Sequence, residues 1–260
     1  MAERVSIVIE DGVADVRLNR PDKMNALDPA MFDGIVDAID RLGATMGLRA
    51  VVLSGEGRAF CAGLDMASMA TGGSGQDLAS RSHGPANRVQ QVAWGWRQLG
   101  VPVIAAVHGV AFGGGLQVAA GADIRIARAD ARFSVRELHW GIVPDMAGMA
   151  LWRTCVRDDV LRELIYTARE FDGAEAERLG FVTRLANDPL AEAIAIARSI
   201  AGHNPDAIRA AKRLVNVAAD ADAAAMLAAE SGEQEKLLGS ANQIEQVRAN
   251  LERRVAVFVD

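Results

Sequence analysis

The sequence predicts an α/β fold in which a strand-rich part precedes an almost wholly helical one. Up to about residue 145, short apolar segments bounded by glycines alternate with segments of helical periodicity. From residue 146 onward nearly every segment has helical periodicity. The chain has 260 residues, half of them hydrophobic, enough for one large domain with or without a small appendage. We therefore expect a core over 1–200 and a C-terminal helical region over 201–260.

Local patterns predict the individual elements. Residues 4–10 and 13–19 alternate as strands around Asp11-Gly12, a favoured hairpin turn. Asp28 then caps a helix that has Pro29 at its first position. Further strands are predicted at 49–54, 101–107, 123–127 and 132–135. Further helices are predicted at 86–99, 113–120, 146–155, 158–168, 173–179, 189–202, 205–218, 221–238 and 241–253. The stretch 67–85 is rich in Gly, Ser and Ala, which indicates a mobile loop or a poorly ordered helix.

Composition excludes several classes of protein. The net charge is -6 without a basic run, so we expect no nucleic-acid partner. Cys61 and Cys155 form no CxxC pair and no Cys/His cluster at metal spacing, so we expect neither a disulfide framework nor a metal site. No apolar run is long enough to span a membrane, and the N-terminus has no signal-peptide pattern. These features favour the cytoplasm.

Three consecutive glycines, Gly113 to Gly115, mark a strand-to-helix junction. Glycine allows a ligand to approach the backbone, and the first amides of a helix lack internal partners. An oxygen that becomes negative during a reaction could therefore bind the Gly114 amide. A tight packing turn would use the same residues. The chain lacks the P-loop, GxGxxG and GxSxG patterns, which disfavours the nucleotide folds and the serine-hydrolase elbow.

Four stretches extend this motif into a longer pattern. They are Leu18-Asn-Arg-Pro-Asp-Lys-Met-Asn-Ala-Leu27, Phe60-Cys-Ala-Gly-Leu-Asp65, Ala106-Val-His-Gly-Val-Ala-Phe-Gly-Gly-Gly115, and Gly121-Ala-Asp-Ile-Arg125 followed by Phe133-Ser-Val-Arg-Glu137. In order and spacing, from residue 5 to about 185, they resemble the enoyl-CoA hydratase/isomerase (crotonase) family. The pattern of acids is most similar to that of dienoyl-CoA isomerases, as a partial match.

The resemblance implies a crotonase-like spiral of repeated ββα units, with C-terminal helices that build homotrimers or homohexamers. It implies an acyl-CoA substrate and no further cofactor. The backbone amides of Leu64 and Gly114 would form the oxyanion hole. The implied substrate-binding residues are Lys23, Met24, Ala26, Ala62, Gly63, Asp65, Met66, Gly113 and Trp140. Lys23 would bind a phosphate, or else be a solvated surface lysine. Trp140 would form the bottom of the acyl pocket or lie in the core. His108 would be a buried structural histidine.

The resemblance implies three catalytic positions, Gln117, Glu137 and Asp145. Family hydratases carry a glutamate where this chain has Gln117, and an amide cannot take a proton at neutral pH. Their second glutamate matches Glu137, for which a surface salt bridge is the alternative. Asp145 lies where dienoyl-CoA isomerases have a catalytic aspartate, but it would also serve as the N-cap of a helix at 146–155. Those isomerases carry an aspartate at the position of Gln117, so the match is incomplete.

These residues leave three functions open. The favoured one is a double-bond shift in an enoyl- or dienoyl-CoA, with Glu137 and perhaps Asp145 moving the proton. The rival is an enoyl-CoA hydratase, with Gln117 holding the water. A protein that binds acyl-CoA without turnover is the third. Independently, the helical tail has apolar residues at core-like spacing that a single chain would cover poorly, which predicts subunit contacts. These residues are Leu214, Leu227, Leu237, Ile244, Val247 and Leu251.

Overall fold

The computed structural model describes residues 3–70 and 78–260 and contains two sheets surrounded by helices. The strands are β1 Val5–Glu10, β2 Val13–Leu18, β3 Ala50–Gly55, β4 Val103–Val107, β5 Val110–Phe112, β6 Ile124–Ala127, β7 Arg132–Ser134, β8 Phe171–Asp172 and β9 Arg184–Leu185. The helices are α1 Pro29–Gly43, α2 Met66–Ala70, α3 Arg88–Gln98, α4 Gly114–Ala120, α5 Gly148–Trp152, α6 Asp158–Thr167, α7 Gly173–Leu179, α8 Pro189–Ala201, α9 Pro205–Ala218, α10 Ala223–Leu237 and α11 Ala241–Glu252. Two 3-10 helices span Pro21–Lys23 and Glu137–Trp140.

The larger sheet has the strand order β1-β2-β3-β4-β6-β9. Only the β1–β2 hairpin is antiparallel, and the remaining pairs are parallel. Val51 and Leu53 of β3 face the main core, whereas Val52 faces a second core that includes Ala193 and Ala197 of α8. Because both faces are covered, the central strands are continuously apolar rather than alternating.

The smaller sheet has the order β5-β7-β8 and gains a fourth segment through a bridge between Cys61 and Ala111. Strands of the two sheets alternate along the chain. β4 belongs to the large sheet, β5 to the small sheet, and α4 follows; β6, β7 and α5 repeat this order. The repeated unit is therefore ββα, and the small-sheet strands lead into the loops and helices that follow them.

The N-terminal predictions are confirmed. Asp11 and Gly12 both have positive φ, at 49° and 77°, as a two-residue hairpin turn of this hand requires. The Asp28 side chain accepts a hydrogen bond of 2.8 Å from Met31 N, and Pro29 is the first residue of α1. Both features depend on residues within three positions of each other.

Other elements differ from the prediction. The strands β5, β8 and β9 were not predicted, because two or three residues are too short to establish a period. The helix predicted at 146–155 spans only Gly148–Trp152 and follows Ala147, so the prediction of Asp145 as its N-cap is wrong. The stretch 67–85 was predicted as a mobile loop or a poorly ordered helix. Helix α2, Met66–Ala70, includes its first four residues, and residues 71–77 lie outside the described ones.

The C-terminal helices are the least covered part of the described chain. Helix α9 is attached to the core by Lys212, whose Nζ donates to Asp123 Oδ2, Trp96 O and Val101 O at 2.8–3.2 Å. Helix α10 contains no buried residue. On α11, Ile244, Val247 and Leu251 are exposed and line an apolar groove of about 320 Å³. The division of the chain at residue 200 stays a prediction.

We expect this uncovered surface to be buried between subunits. Light scattering at micromolar concentration should give three or six times the chain mass of 27.6 kDa. The double variant Val247→Asp/Leu251→Asp should shift the mass toward 27.6 kDa, since charges in an apolar interface are strongly unfavourable. Met46→Asp, at an exposed apolar residue in the turn after α1 and outside the lining of the groove, is the control and should leave the mass unchanged. A wild-type monomer would contradict the prediction.

Candidate active site

Backbone pairing brings two turns together at one end of the small sheet. Cys61 N donates to Val110 O at 3.0 Å, and Phe112 N donates to Cys61 O at 3.1 Å. Glycines allow the close approach: a Cβ at Gly63 would lie 2.5 Å from Phe112 O, and one at Gly115 would lie 2.4 Å from Cys61 O. The turn after Cys61 is therefore held directly against the start of α4.

The amides of Leu64 and Gly114 lie on these two turns. Gly114 is the first residue of α4, so its N–H has no acceptor within the helix. Leu27 bonds to the residues on both sides of Leu64, through Gly63 O at 2.8 Å and Asp65 N at 3.1 Å, which leaves the Leu64 amide outside this pairing. Gly113, which precedes Gly114, has φ 47° and ψ -118°, a conformation that residues with side chains avoid. The geometry suits a pair of oxyanion donors.

A cavity of about 240 Å³ opens at this place. It is lined by eight residues that the sequence predicts for the site: Ala62, Gly63, Leu64, Met66, Gly113, Gly114, Glu137 and Trp140. Three more lining residues were not predicted: Phe112, Arg136 and Ile142. Trp140 is 51% exposed, so its alternative placement in the core is wrong. Leu138, Ile142 and Val143 lie near it in the chain, and this apolar pattern alone does not distinguish a core residue from a cavity wall.

The segment 23–27 supports the turn and does not line this cavity. Met24 O accepts a hydrogen bond of 2.9 Å from Ala62 N. Lys23 is exposed at the end of a 3-10 helix, and the half-buried Ala26 accepts a 3.1 Å bond from Arg20 NH1 through its carbonyl. Asp65 forms an ion pair of 2.7 Å with Arg20, whose hydrogen bond lowers the pKa of the carboxyl. Their predicted contacts with CoA stay predictions.

Asn25 is a further residue of the site that sequence analysis missed. It is fully buried, and its Nδ2 donates to the carbonyls of Glu56, Ala59 and Phe60 at 2.9–3.1 Å. Its Oδ1 accepts from Arg20 N at 2.8 Å. Asn25 thus holds the loop that leads to the first turn. The only signal in the sequence was that the quoted motif contains Asn25; its burial and its positive φ of 55° are visible only in the structure.

Glu137 presents the carboxylate of the cavity. It opens the 3-10 helix that follows β7 and is only 5% exposed. A Cβ at Gly113 would lie 3.4 Å from its Oε1 and 3.8 Å from its Oε2. Oε2 is buried and has no hydrogen-bond partner among the described residues. The surface salt bridge considered for Glu137 is therefore wrong, and Oε2 is available to a bound molecule.

Gln117 fixes Glu137 rather than lining the cavity. Its Oε1 accepts from Met146 N at 2.8 Å and from Gly148 N at 2.9 Å. The orientation of the amide is thereby determined, and Nε2 donates to Glu137 Oε1 at 2.6 Å. Gln117 is fully buried, so in this arrangement it has no oxygen left with which to hold a water in the cavity.

Burial controls the electrostatics of the two acids. Desolvation raises the pKa of Glu137 above its usual range, and the charge of Asp145 adds to this, while the bond from Gln117 opposes it. Desolvation likewise raises the pKa of Asp145, which is half-buried and is not part of the cavity wall. The structure thus brings Asp145 near Glu137 without exposing it to the cavity.

Two other candidate groups have structural roles. Burial raises the pKa of the Cys61 thiol to about 12, so it stays protonated and donates to Asn25 O at 3.1 Å. His108 is half-exposed rather than buried, and its Nε2 lies 2.9 Å from Gly57 O. Within residues 3–70 and 78–260, no group of three metal-ligating side chains forms. No helix in the same ranges is long and apolar enough to cross a bilayer.

Comparison with known proteins agrees with this geometry. Residues 8–260 match the family model "Enoyl-CoA hydratase/isomerase". A Mycobacterium bovis protein named "Probable enoyl-CoA hydratase echA8" is 32% identical and covers 98% of each chain. The rat mitochondrial "Delta(3,5)-Delta(2,4)-dienoyl-CoA isomerase" is also 32% identical, over 77% of this chain and 64% of the relative.

A solved structure supports the same relationship. The crystal structure of an enoyl-CoA hydratase from Mycobacterium tuberculosis H37Rv superposes with a TM-score of 0.88 at 28% identity, covering 99% of both chains. The predicted crotonase fold is therefore confirmed. On the family match, the full-length relatives and the shared fold, this chain belongs to the enoyl-CoA hydratase/isomerase family of acyl-CoA enzymes.

Proposed function

We propose that the chain shifts the double bond of an enoyl-CoA from the 3,4 to the 2,3 position, with Glu137 as the single proton carrier. One observation carries the proposal: among the described residues, Glu137 is the only carboxylate that lines the cavity beside Leu64 and Gly114. A shift of this kind needs one base that removes a proton from C2 and returns it to C4. It consumes no water.

The geometry suits each step. The thioester oxygen binds the amides of Leu64 and Gly114, which stabilise the negative charge that develops when the C2 proton leaves. Each such donor contributes about 3 kcal/mol in comparable sites. The unpartnered Oε2 of Glu137 takes the proton, and the electron pair moves through the dienolate toward C4. The protonated Glu137 then delivers the same proton to C4, so atoms and charge balance.

Hydration is the rival reaction, and the names of most relatives favour it. Adding water to a 2,3 double bond requires a group that takes a proton from the water and one that delivers a proton to C2. Here Gln117 lies beside Glu137, and its oxygen is used by Met146 N and Gly148 N. A neutral amide in that position leaves Glu137 to perform both transfers alone. Hydration should therefore be slow.

Glu137→Gln should reduce turnover of a 3-enoyl-CoA by about 10²–10⁴-fold, because the amide keeps the shape of the side chain but cannot act as a base. The Kd for CoA should stay nearly unchanged. In the wild type, kcat should fall as the pH falls through the raised pKa of Glu137, since only the ionised form takes a proton. Stopped-flow absorbance and calorimetry measure the two quantities. Asp145→Asn is the companion: a small loss identifies an indirect role, and a loss as large as that of Glu137→Gln would contradict a single carrier.

The buried carboxylate should also destabilise the fold at neutral pH. The folded-state pKa of Glu137 is raised, so the unfolded chain loses this proton at lower pH than the folded chain does. Stability should therefore decrease as the pH rises from about 4.3, the usual pKa of a glutamate, through the raised pKa. Glu137→Gln removes this effect, and its gain in the free energy of unfolding should grow over that window and then level off, by about 1.4 kcal/mol per pKa unit. Urea unfolding at several pH values measures it.

Glu170→Gln is a control whose effect on stability should have the opposite sign. Burial alone would raise the pKa of Glu170, but hydrogen bonds from Arg136 and Arg132 lower it. Glu170→Gln should therefore destabilise the fold at neutral pH, and the loss should shrink as the pH falls through the lowered pKa. Equal pH profiles for Glu137→Gln and wild type would contradict the raised pKa of Glu137.

Gln117→Glu should increase hydration of crotonyl-CoA by about 10²-fold, the lower end of the contribution of a positioned acid or base. The new carboxylate can still accept from Met146 N and Gly148 N, and two adjacent acids share a proton at neutral pH. Gln117→Met fills a similar volume without an acid and should show no gain. A rapid wild-type hydratase rate that is unchanged in Gln117→Ala would instead support hydration as the native reaction.

A further inference from the structure

We infer that the enzyme prefers acyl-CoA substrates whose acyl group carries a carboxylate, bound by Arg136. This deepens the proposed function by naming a substrate class. Arg136 lies next to Glu137 in the chain and lines the same cavity as Gly114. Its side chain is 32% exposed, and its NH1 donates to Glu170 Oε1 at 2.7 Å. A guanidinium has five N–H donors, so others remain for a ligand.

The charges of Arg132 and Arg136 and of Glu170, which both arginines contact, do not cancel. Arg132 and Arg136 bind the two oxygens of one carboxylate, that of Glu170. The lowered pKa of Glu170 keeps it ionised, so two positive charges face one negative charge. Both guanidinium groups also lie over the ring of Phe112, at 5.6 Å for Arg132 and 4.8 Å for Arg136. This stacking holds Arg136 in place. Within this cluster one arginine charge is not matched by Glu170, and the carboxylate of Glu137 lines the same cavity.

The position of Arg136 selects the acyl group over the phosphates of CoA. Arg136 shares one cavity of about 240 Å³ with the oxyanion amides and Glu137, which surround the thioester and its α-carbon. The whole length of the pantetheine arm separates the thioester from the phosphates, so a phosphate cannot reach the same cavity in a productive complex. The remaining walls near Arg136 are the apolar Phe112, Trp140 and Ile142. A carboxylate on a short acyl chain complements this arrangement.

Saturated ligands test the inference without depending on turnover. Calorimetry compares glutaryl-CoA with valeryl-CoA, and the succinyl/butyryl and adipyl/hexanoyl pairs cover shorter and longer chains. In the wild type, at least one carboxylate ligand should bind about tenfold or more tightly than its neutral partner, as a charge-assisted hydrogen bond provides. Arg136→Met should remove that preference. Arg132→Met is the matched control, since Arg132 contacts the same Glu170 and Phe112 without lining the cavity, and it should keep the preference.

Four outcomes would overturn the inference. Wild type could bind every neutral ligand at least as tightly as its carboxylate partner. Arg136→Met could keep the preference, or Arg132→Met could lose it equally, which would indicate a structural ion cluster. Arg136→Met could weaken free CoA as much as glutaryl-CoA, which would place the anion on CoA itself. Because saturated acyl-CoAs undergo no double-bond shift, a preference in binding stands even if isomerase activity is absent, and isomerase activity stands if the preference is absent.

Discussion

Two hydrogen bonds around Cys61 align the two amides, those of Leu64 and Gly114, that we propose to bind the thioester oxygen. They join the turn that carries Leu64 to β5, and β5 leads directly into Gly114. Because Gly63 and Gly115 have no side chains, the two turns approach within contacts that any Cβ would prevent. The amides are thus held by sheet pairing before a ligand arrives, and no donor has to reorganise when charge develops on an oxygen. The ββα order supports this contact, since it places β5 and β7 side by side in the small sheet.

Gln117 shows how one side chain sets chemistry without touching the cavity. It connects α4 with Glu137 on one side and with the start of α5 on the other. Glutamate and glutamine have nearly the same shape, so this framework would accept either residue. Only the amide has N–H donors at neutral pH, and its donation to Oε1 of Glu137 leaves Oε2 as the free oxygen. A glutamate in place of Gln117 would therefore change the number of groups that can carry a proton without changing the framework of the site.

The active site departs from the rules that stabilise the remainder of the protein. Glu137 is a buried acid with one unpartnered oxygen, an arrangement unfavourable for folding but useful to a base whose pKa must lie closer to neutrality. Next to it in the chain, Arg136 shares the carboxylate of Glu170 with Arg132, so two arginines bind one acid. By contrast, the buried charge of Lys212 is compensated by Asp123 and two backbone carbonyls.

The sequence by itself determined the features that depend on neighbouring residues or on motif order. The hairpin turn and the cap of α1 involve contacts within three positions. The glycine motifs were identified by their order and spacing, and Glu137 by the family resemblance of the motif that contains it. Tertiary structure decided the rest. Asn25 acts on carbonyls more than thirty residues away, so local pattern does not reveal its role. Residues 141–147 have no regular period, and only packing placed Asp145 near Glu137 but off the cavity wall. Arg136 looked like any surface arginine in sequence, because its importance depends on charges and a ring that other strands bring to it.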